Sequence, residues 1–361
     1  MATKIHINLR KEADDSYDIV IGTTLADAAR DILKFVPGDR YFAITDSNVK
    51  RFYGTKFTRL MKRNGVDCPL VSVPAGEKSK NRTTKGHIED KLLSLGAGRR
   101  SVVIALGGGM VGDLAGFVAS TLLRGIRYVH IPTTLLAQVD SSIGGKVAVN
   151  HPLGKNLLGA FCQPKRVCID ISTLGTLPHR EFIHGMAEVI KYAAILDRDL
   201  FSYLEVHCEN ILTRDAKALI KVITRCCELK RDVVEIDEKE TDYRRILNFG
   251  HTIGHALESL TNYRLPHGIA VSIGMATEAR ISATRGLLSA GSVARLENLL
   301  HAYRLPTEIP PSTDIRELCE ATRTDKKAKD GRVHYTLLQR IGKARTGVRL
   351  SHEKVQRILS R

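Results

Sequence analysis

The sequence predicts an α/β amino-terminal half followed by a mainly helical half, with the boundary near residue 172. Three observations carry this. Up to Ile171, short apolar runs alternate with stretches of helical spacing, the pattern of a parallel sheet covered by helices. Ser101–Leu106 is a buried-strand run that opens into Gly107-Gly108-Gly109-Met-Val-Gly112-Asp113 and a helix from Leu114 to about Leu123. Past Thr173-Leu-Gly-Thr-Leu-Pro178, helical spacing is nearly continuous, with only short Gly or Pro breaks.

Taken in order, Lys4–Leu9 and Tyr17–Ile21 read as strands joined by a polar turn. Thr24–Phe35 has helical spacing and Pro37-Gly38 ends it. Tyr41–Thr45 is a strand running into Asp46-Ser47-Asn48. A carboxylate there can hold a ribose beyond a strand end, or merely cap the next helix. Leu70–Val73 is a strand, Pro74-Ala-Gly-Glu77-Lys78-Ser-Lys80 a loop, and Thr83–Leu95 a helix.

Gly107, Gly109 and Gly112 satisfy G-x-G-x-x-G between strand and helix. Glycines let backbone approach a pyrophosphate, and a helix N-terminus favours its charge. The motif is not in the first βα unit, and no acidic residue follows about 20 positions on at a strand end. It therefore predicts a phosphate or dinucleotide site outside an ordinary Rossmann half.

Arg127–Ile131 is the next strand, with Pro132-Thr133-Thr134 at its end. Asp140, Lys146, Lys155 and Asn156 then recur without helical or strand period between apolar runs, and Asn150–Asn156 reads as a polar loop offering anion-binding donors. Val167–Ile171 closes the α/β half. In the helical half, His251 and His255 are four apart and share one helix face. They are half of a zinc site, unless they are ordinary surface or core histidines. A third ligand can come from His267, in a turn just past that helix, or from Glu188 in His184-Gly-Met-Ala-Glu188-Val-Ile-Lys191. Asp325–Gly331 is a polar loop, Val333–Leu338 a short strand and His352–Leu359 a last helix.

Composition narrows the function classes. Apolar content of 43% and charged content of 26% are those of a soluble globular chain. No apolar run approaches the roughly 20 residues that span a bilayer. Met1-Ala-Thr-Lys-Ile-His reads as a strand opening rather than a signal peptide. Seven scattered Cys without a Cys-x-x-Cys pair point to reduced thiols and a cytoplasmic location, with Cys226-Cys227 structural. The net charge of +16 favours an anionic partner. The basic residues are dispersed and aromatics are only 5%, which argues for a phosphorylated small molecule over nucleic acid.

Five separated blocks, Gly107–Thr121, Pro132–Pro164, His184–Lys191, Asp237–Glu258 and Leu265–Met275, resemble the 3-dehydroquinate synthases, in order along nearly the whole chain. Val-Asp140-Ser-Ser-Ile-Gly-Gly-Lys146 and His-Pro-Leu-Gly-Lys155-Asn156-Leu-Leu-Gly-Ala-Phe are particular to that family and its sugar-phosphate cyclase relatives. The resemblance implies a Rossmann-like NAD-binding domain over residues 1–172 and a helical metal- and substrate-binding domain over 173–361. It implies NAD and a divalent metal, Zn2+ or Co2+, acting on 3-deoxy-D-arabino-heptulosonate 7-phosphate. The alcohol is oxidised transiently, phosphate leaves, the hydride returns and an aldol step closes the ring, giving 3-dehydroquinate in the shikimate route to aromatic amino acids.

By the same resemblance, Glu188, His251 and His267 are the metal ligands, leaving His255 to relay a proton or contact phosphate. Lys146, Asn156, Lys191, Arg244, Asn248 and Lys326 match substrate contacts, and Lys230 falls at a similar site. Arg124 matches a residue that enters a neighbouring subunit's site, which implies a homodimer. NAD contacts fall on Asp46, Asn48, Glu77, Lys80, Gly108, Gly109, Asp113, Thr133, Thr134, Asp140, Lys155 and Thr176. Plain alternatives stand beside these: Glu188 and Lys191 as a surface ion pair, and Lys326-Lys327 as solvated loop charge. Val147 departs from the family pattern, where a Thr or Asn follows the lysine, and predicts a loop held slightly differently. Rival readings are a sugar-phosphate cyclase acting on substrates without the carboxylate, a metal-dependent polyol dehydrogenase, and a basic nucleic-acid-binding protein.

Overall fold

The computed structural model describes residues 14–324 and 333–359. The strand expected over 4–9 and Lys326 lie outside the described residues.

The first half is built around one parallel sheet. Its early strands are β1 (Asp18–Ile21), β2 (Tyr41–Asp46), β3 (Leu70–Val73), β4 (Val102–Gly107) and β5 (Arg127–Pro132). A hairpin of β6 (Lys146–His151) and β7 (Gly154–Phe161) interrupts before β8 (Arg166–Ile169). The strand order is β1-β8-β5-β4-β2-β3, with every pairing parallel. Helices α1 (Leu25–Phe35), α2 (Ser47–Val49), α3 (Thr55–Arg63), α4 (Arg82–Ser94) and α5 (Gly109–Thr121) connect these strands. All six residues of β2 and of β4 are buried, as covering helices on both faces require. The entry to α1 is a capping box, with Thr24 and Asp27 satisfying each other's backbone amides.

The second half contains α6 (His179–Leu196), α7 (Arg198–Val206), α8 (Cys208–Leu212), α9 (Ala216–Ile236), α10 (His251–Leu260), α11 (His267–Thr284), α12 (Ala290–Ala302) and α13 (Ile315–Thr324). An antiparallel hairpin, β9 (Val333–Arg340) and β10 (Lys343–Leu350), precedes α14 (His352–Leu359). Helix α6 is buried all round: from Phe182 to Ile195 only His184 is not buried. Such a helix is a central strut, packed against α9 and α11 in one apolar core.

Most expected elements recur to within a few residues, and three differ. The helix after the glycines starts at Gly109, not Leu114, so Met110–Asp113 form its first turn. The stretch read as an aperiodic polar loop is instead the β6–β7 hairpin. Its inward residues Val147 and Val149 are buried on α5, while Lys146, Asn150 and Asn156 project from it. Val147 faces Gly116 in the core, a place for apolar contact rather than a polar one. Finally, β10 was not foreseen, and β8 ends at Ile169, with Asp170 capping the turn that follows. Among the described residues, no helix is long and apolar enough to cross a membrane.

Candidate active site

From β2 the chain moves to β3 on one side, then returns for β4 on the other. The switch point therefore lies between β2 and β4, and ligands of open α/β sheets bind beyond the carboxyl ends there. Asp46, Gly107 and Pro132 end β2, β4 and β5 on this rim. Gly108 caps α5 without a side-chain hydrogen bond, leaving the first-turn amides to an incoming anion. A Cβ at Gly108 would stand 2.9 Å from Thr134 Cγ2, and one at Gly112 would stand 2.7 Å from His130 Cε1. Both glycines are thus demanded by close packing of loop and helix on β5. Gly109 likewise sits against Ser141.

The other cofactor candidates gather along the same rim. Asp46 does cap α2, accepting from the Asn48 and Val49 amides at 2.8 and 3.1 Å. It also occupies the strand end expected of a ribose ligand, so the two readings of it are compatible. Exposed Asn48 follows it. The Thr133 hydroxyl is buried without a hydrogen-bond partner among the described residues, whereas the Thr134 hydroxyl accepts from Ala137 N–H. Glu77 accepts from Asn150 Nδ2 at 2.8 Å, and Thr176 pairs with the Tyr53 hydroxyl at 2.6 Å. Buried Lys80 donates to Asp113 and to Asn156, both at 2.5 Å. It ties α5 to the hairpin, where Asn156 adopts a left-handed φ of 54°.

Deeper in lies a cluster of charges. Lys230, on α9, donates to the Asp140 backbone carbonyl at 2.6 Å and to its Oδ1 at 2.7 Å. Tyr192 donates to the same oxygen at 2.6 Å. Burial pushes the Asp140 carboxyl up, but Lys230 and Lys191 outweigh it and hold it well below the usual range. Lys191 is buried against Glu188, so the surface ion-pair reading fails. Arg244 is buried too; it donates to the Gly144 carbonyl at 3.0 Å and to that of Glu238. The loop before it is wound on Asp237, whose carboxylate accepts from the Thr241, Asp242 and Arg244 amides. Glu240 bridges Lys146 and Asn248, taking the Asn248 amide at 2.8 Å.

The histidines complete the floor. One ligand atom each from Glu188, His251 and His267 lie within 4.8 Å of one another. Both Glu188 oxygens are buried and make no well-directed hydrogen bond among the described residues; the Nε2 atoms of His251 and His267 stand 3.6 and 3.5 Å from Oε1. Each imidazole is oriented from behind. His251 Nδ1 lies 3.1 Å from the Phe249 carbonyl, and His267 Nδ1 lies 3.3 Å from Glu258 Oε2. This is how metal-binding histidines are held. One carboxylate and two imidazoles also suit a zinc-like ion with open positions. Burial disfavours a charged His267, but Glu188 and Glu258 on either side raise it to about 10. Positive charge is thus strongly favoured where Glu188, His251 and His267 meet. His255 completes a second, overlapping group with Glu258 and His267; its ring is 5.2 Å from that of His251. Lys155 stands 2.7 Å from Glu258 Oε1, so it reaches the histidine cluster from the β6–β7 hairpin.

The comparisons with known proteins agree with this geometry. Residues 70–184 match the 3-dehydroquinate synthase N-terminal family and residues 185–328 its C-terminal counterpart. The 3-dehydroquinate synthase of Pelobacter propionicus is 48% identical, covering 91% of this chain and 92% of its own. That of Thermodesulfovibrio yellowstonii is 43% identical, covering 96% and 97%. The chain belongs to the 3-dehydroquinate synthase family.

Solved structures of similar shape include the 2-epi-5-epi-valiolone synthase of Streptomyces hygroscopicus subsp. jinggangensis 5008 with NAD+ and Zn2+ bound. It has a TM-score of 0.90, 28% identity and 98% coverage of both chains. A 2-deoxy-scyllo-inosose synthase complexed with carbaglucose-6-phosphate, NAD+ and Co2+ has a TM-score of 0.86 and 27% identity, covering 96% of this chain and 97% of its own. Within this 3-dehydroquinate synthase family member, residue-by-residue reading missed Tyr192, Glu240 and Glu258. Glu258 had a signal, lying three residues after His255 on the same helix face. Tyr192 and Glu240 had none, because their partners come from distant segments. Arg124 sits apart on an exposed corner with φ of 69°.

Proposed function

We propose that the chain is a 3-dehydroquinate synthase, a phosphate-eliminating carbon–oxygen lyase dependent on NAD and on Zn2+ or Co2+. It converts 3-deoxy-D-arabino-heptulosonate 7-phosphate to 3-dehydroquinate and phosphate in the shikimate pathway. The observation that carries this reading is the convergence of Glu188, His251 and His267 beside Lys191, Lys230 and Arg244, below the glycine rim. In this reading residues 1–172 hold NAD, and residues 173–361 supply the metal ligands and most substrate contacts.

When bound, the metal polarises substrate oxygens and NAD takes and returns one hydride. The chain's own residues do the rest. Glu188, His251 and His267 hold the metal. NAD lies along Asp46, Asn48, Glu77, Lys80, Gly108, Gly109, Asp113, Thr133, Thr134, Asp140, Lys155 and Thr176. Lys146, Asn156, Lys191, Lys230, Arg244, Asn248 and Lys326 contact the substrate, His255 relays a proton or contacts phosphate, and Arg124 reaches the neighbouring subunit of a homodimer. A cation-rich pocket suits a substrate bearing phosphate and carboxylate; it contributes mainly orientation and charge stabilisation. The seven free thiols fit the cytoplasm.

The test combines purified protein, NAD, zinc and the heptulosonate phosphate, following phosphate and NADH absorbance together. We expect phosphate release with no net NADH, loss of turnover on chelation, and rescue by zinc or cobalt. NADH accumulating without phosphate overturns the reading in favour of a dehydrogenase. Silence in both, with turnover of carboxylate-free sugar phosphates, overturns it in favour of another cyclase. Within the same assay, Glu258→Gln should weaken zinc binding by about ten- to a hundredfold, because His267 loses its charged orienting partner. Equilibrium competition with a zinc chelator measures this.

A further inference from the structure

The helix bearing His251 starts without a side-chain cap of its own. Gly250 fills the cap position with φ of 80°, and no local side chain accepts from the first turn. The start of that turn is buried at Thr252 and Ile253; the Gly254 amide reaches the Gly250 carbonyl, and the amides before it need an acceptor from elsewhere. Glu278 on α11 supplies it. Its side chain is 0% exposed; Oε2 accepts from Gly250 N–H at 2.7 Å and Oε1 from Ile253 N–H at 3.2 Å. A buried carboxylate is costly unless hydrogen-bonded and balanced. The positive end of α10 provides both the donors and the balancing partial charge.

Glu278 follows His267 by about three helical turns, so both project from one side of α11. Between them the two helices touch backbone to backbone. Any Cβ at Gly274 would collide with the Gly250 carbonyl, and one at Gly250 would stand 2.6 Å from Met275 Cγ. Helix α11 thus carries one histidine at its start and, further along, clamps the turn that carries the other.

We propose that Glu278 is a positioning residue for the metal centre: it holds the first turn of α10 so that His251 Nε2 faces Glu188 and His267. This rests on reading Glu188, His251 and His267 as the ligand set. His251 lies between the two residues whose amides Glu278 holds. Its Nδ1 faces the Phe249 carbonyl, just outside the same turn. If the clamp loosens, the imidazole, its orienting carbonyl and the helix start move together, away from the ligands on α6 and α11.

The experiment uses the full chain with Glu278→Gln and Glu278→Asp. It reads zinc affinity by chelator competition, the visible spectrum of the cobalt-loaded protein, and the thermal midpoint of the metal-free protein. The glutamine keeps the volume but turns an amide N–H2 toward a backbone N–H. We expect about a ten- to hundredfold loss of zinc affinity and an altered cobalt spectrum, with Asp binding zinc more tightly than Gln. A lowered metal-free midpoint with unchanged zinc affinity and spectrum overturns the proposal, since a purely structural carboxylate predicts that result. Should Gln fail to fold, Asp carries the test: a severalfold loss of affinity supports the proposal and no loss overturns it. If the unsubstituted chain binds neither zinc nor cobalt, the ligand-set reading falls and takes this proposal with it.

Discussion

Replacing His267 by alanine will cut phosphate release by about a thousandfold or more, with the protein still folded. The size follows from what the proposed ligand set loses: a ligand of an ion that stabilises developing charge, where one stabilising contact is worth about a hundred- to a thousandfold. The fold should survive because His267 opens α11 and its side chain remains 31% exposed, so little packing is lost. Zinc per chain should fall well below one. A ligand that binds only the native state raises the unfolding midpoint, so zinc should raise that of the unsubstituted protein and leave the variant's unchanged. Circular dichroism, zinc content and the phosphate assay check this together. Unsubstituted turnover in His267→Ala sinks the ligand assignment.

Lys230→Met will destabilise the fold by about 3–5 kcal/mol. Lys230 is buried and meets Asp140 twice, at its carbonyl and its carboxylate. Removing one partner of a buried pair leaves the other charge uncompensated. Tyr192 and Lys191 stay near Asp140, which places the expectation at the low end. The double variant Lys230→Met with Asp140→Asn should recover much of the loss, because no bare charge remains. Urea unfolding at neutral pH measures all three.

The pH dependence has a definite sign. The native Asp140 carboxyl lies below its ordinary value, so the pair stabilises the fold above about pH 3.9 and is lost as pH falls beneath it. In Lys230→Met, burial acts on Asp140 with one fewer opposing cation, and its proton is taken up at higher pH. The stability gap between the two proteins should therefore narrow as pH falls. A gap constant from pH 8 to 4 rejects the account.

Much of the rim was legible in the residues. The run from Ser101 to Gly112 gives strand and turn by composition alone, because glycine and buried apolar runs are local matters; the helix start was read too late, since the glycines themselves form its first turn. The β6–β7 hairpin was not legible. Val147 and Val149 do alternate with Lys146 and Asn150 in β6, but apolar Ala148 falls on the other side and β7 has no fully buried residue, so the polar–apolar period is weak in both strands. The ion pair of Glu188 and Lys191 was visible as a spacing, but its burial was not. Nothing within α6 says that α9 and α11 will cover it. Tyr192, Glu240 and Glu278 escaped notice for the same reason, each being defined by a partner far away in the chain.

The sequence by itself determined which side chains share a helix face, where most helices lie to within a turn or so, and the excess of positive charge that suits an anionic substrate. It made His251 and His255 neighbours, since four residues make about one turn. Only the tertiary structure decided which imidazoles meet Glu188. That depends on how closely α6, α10 and α11 approach, and the approach is set by glycines at 250, 254, 268 and 274 meeting backbone or side chains of the neighbouring helix. Periodicity specifies contacts within a helix to about one turn. Contacts between helices are specified by the shapes of two surfaces at once, and no single segment of the chain contains both.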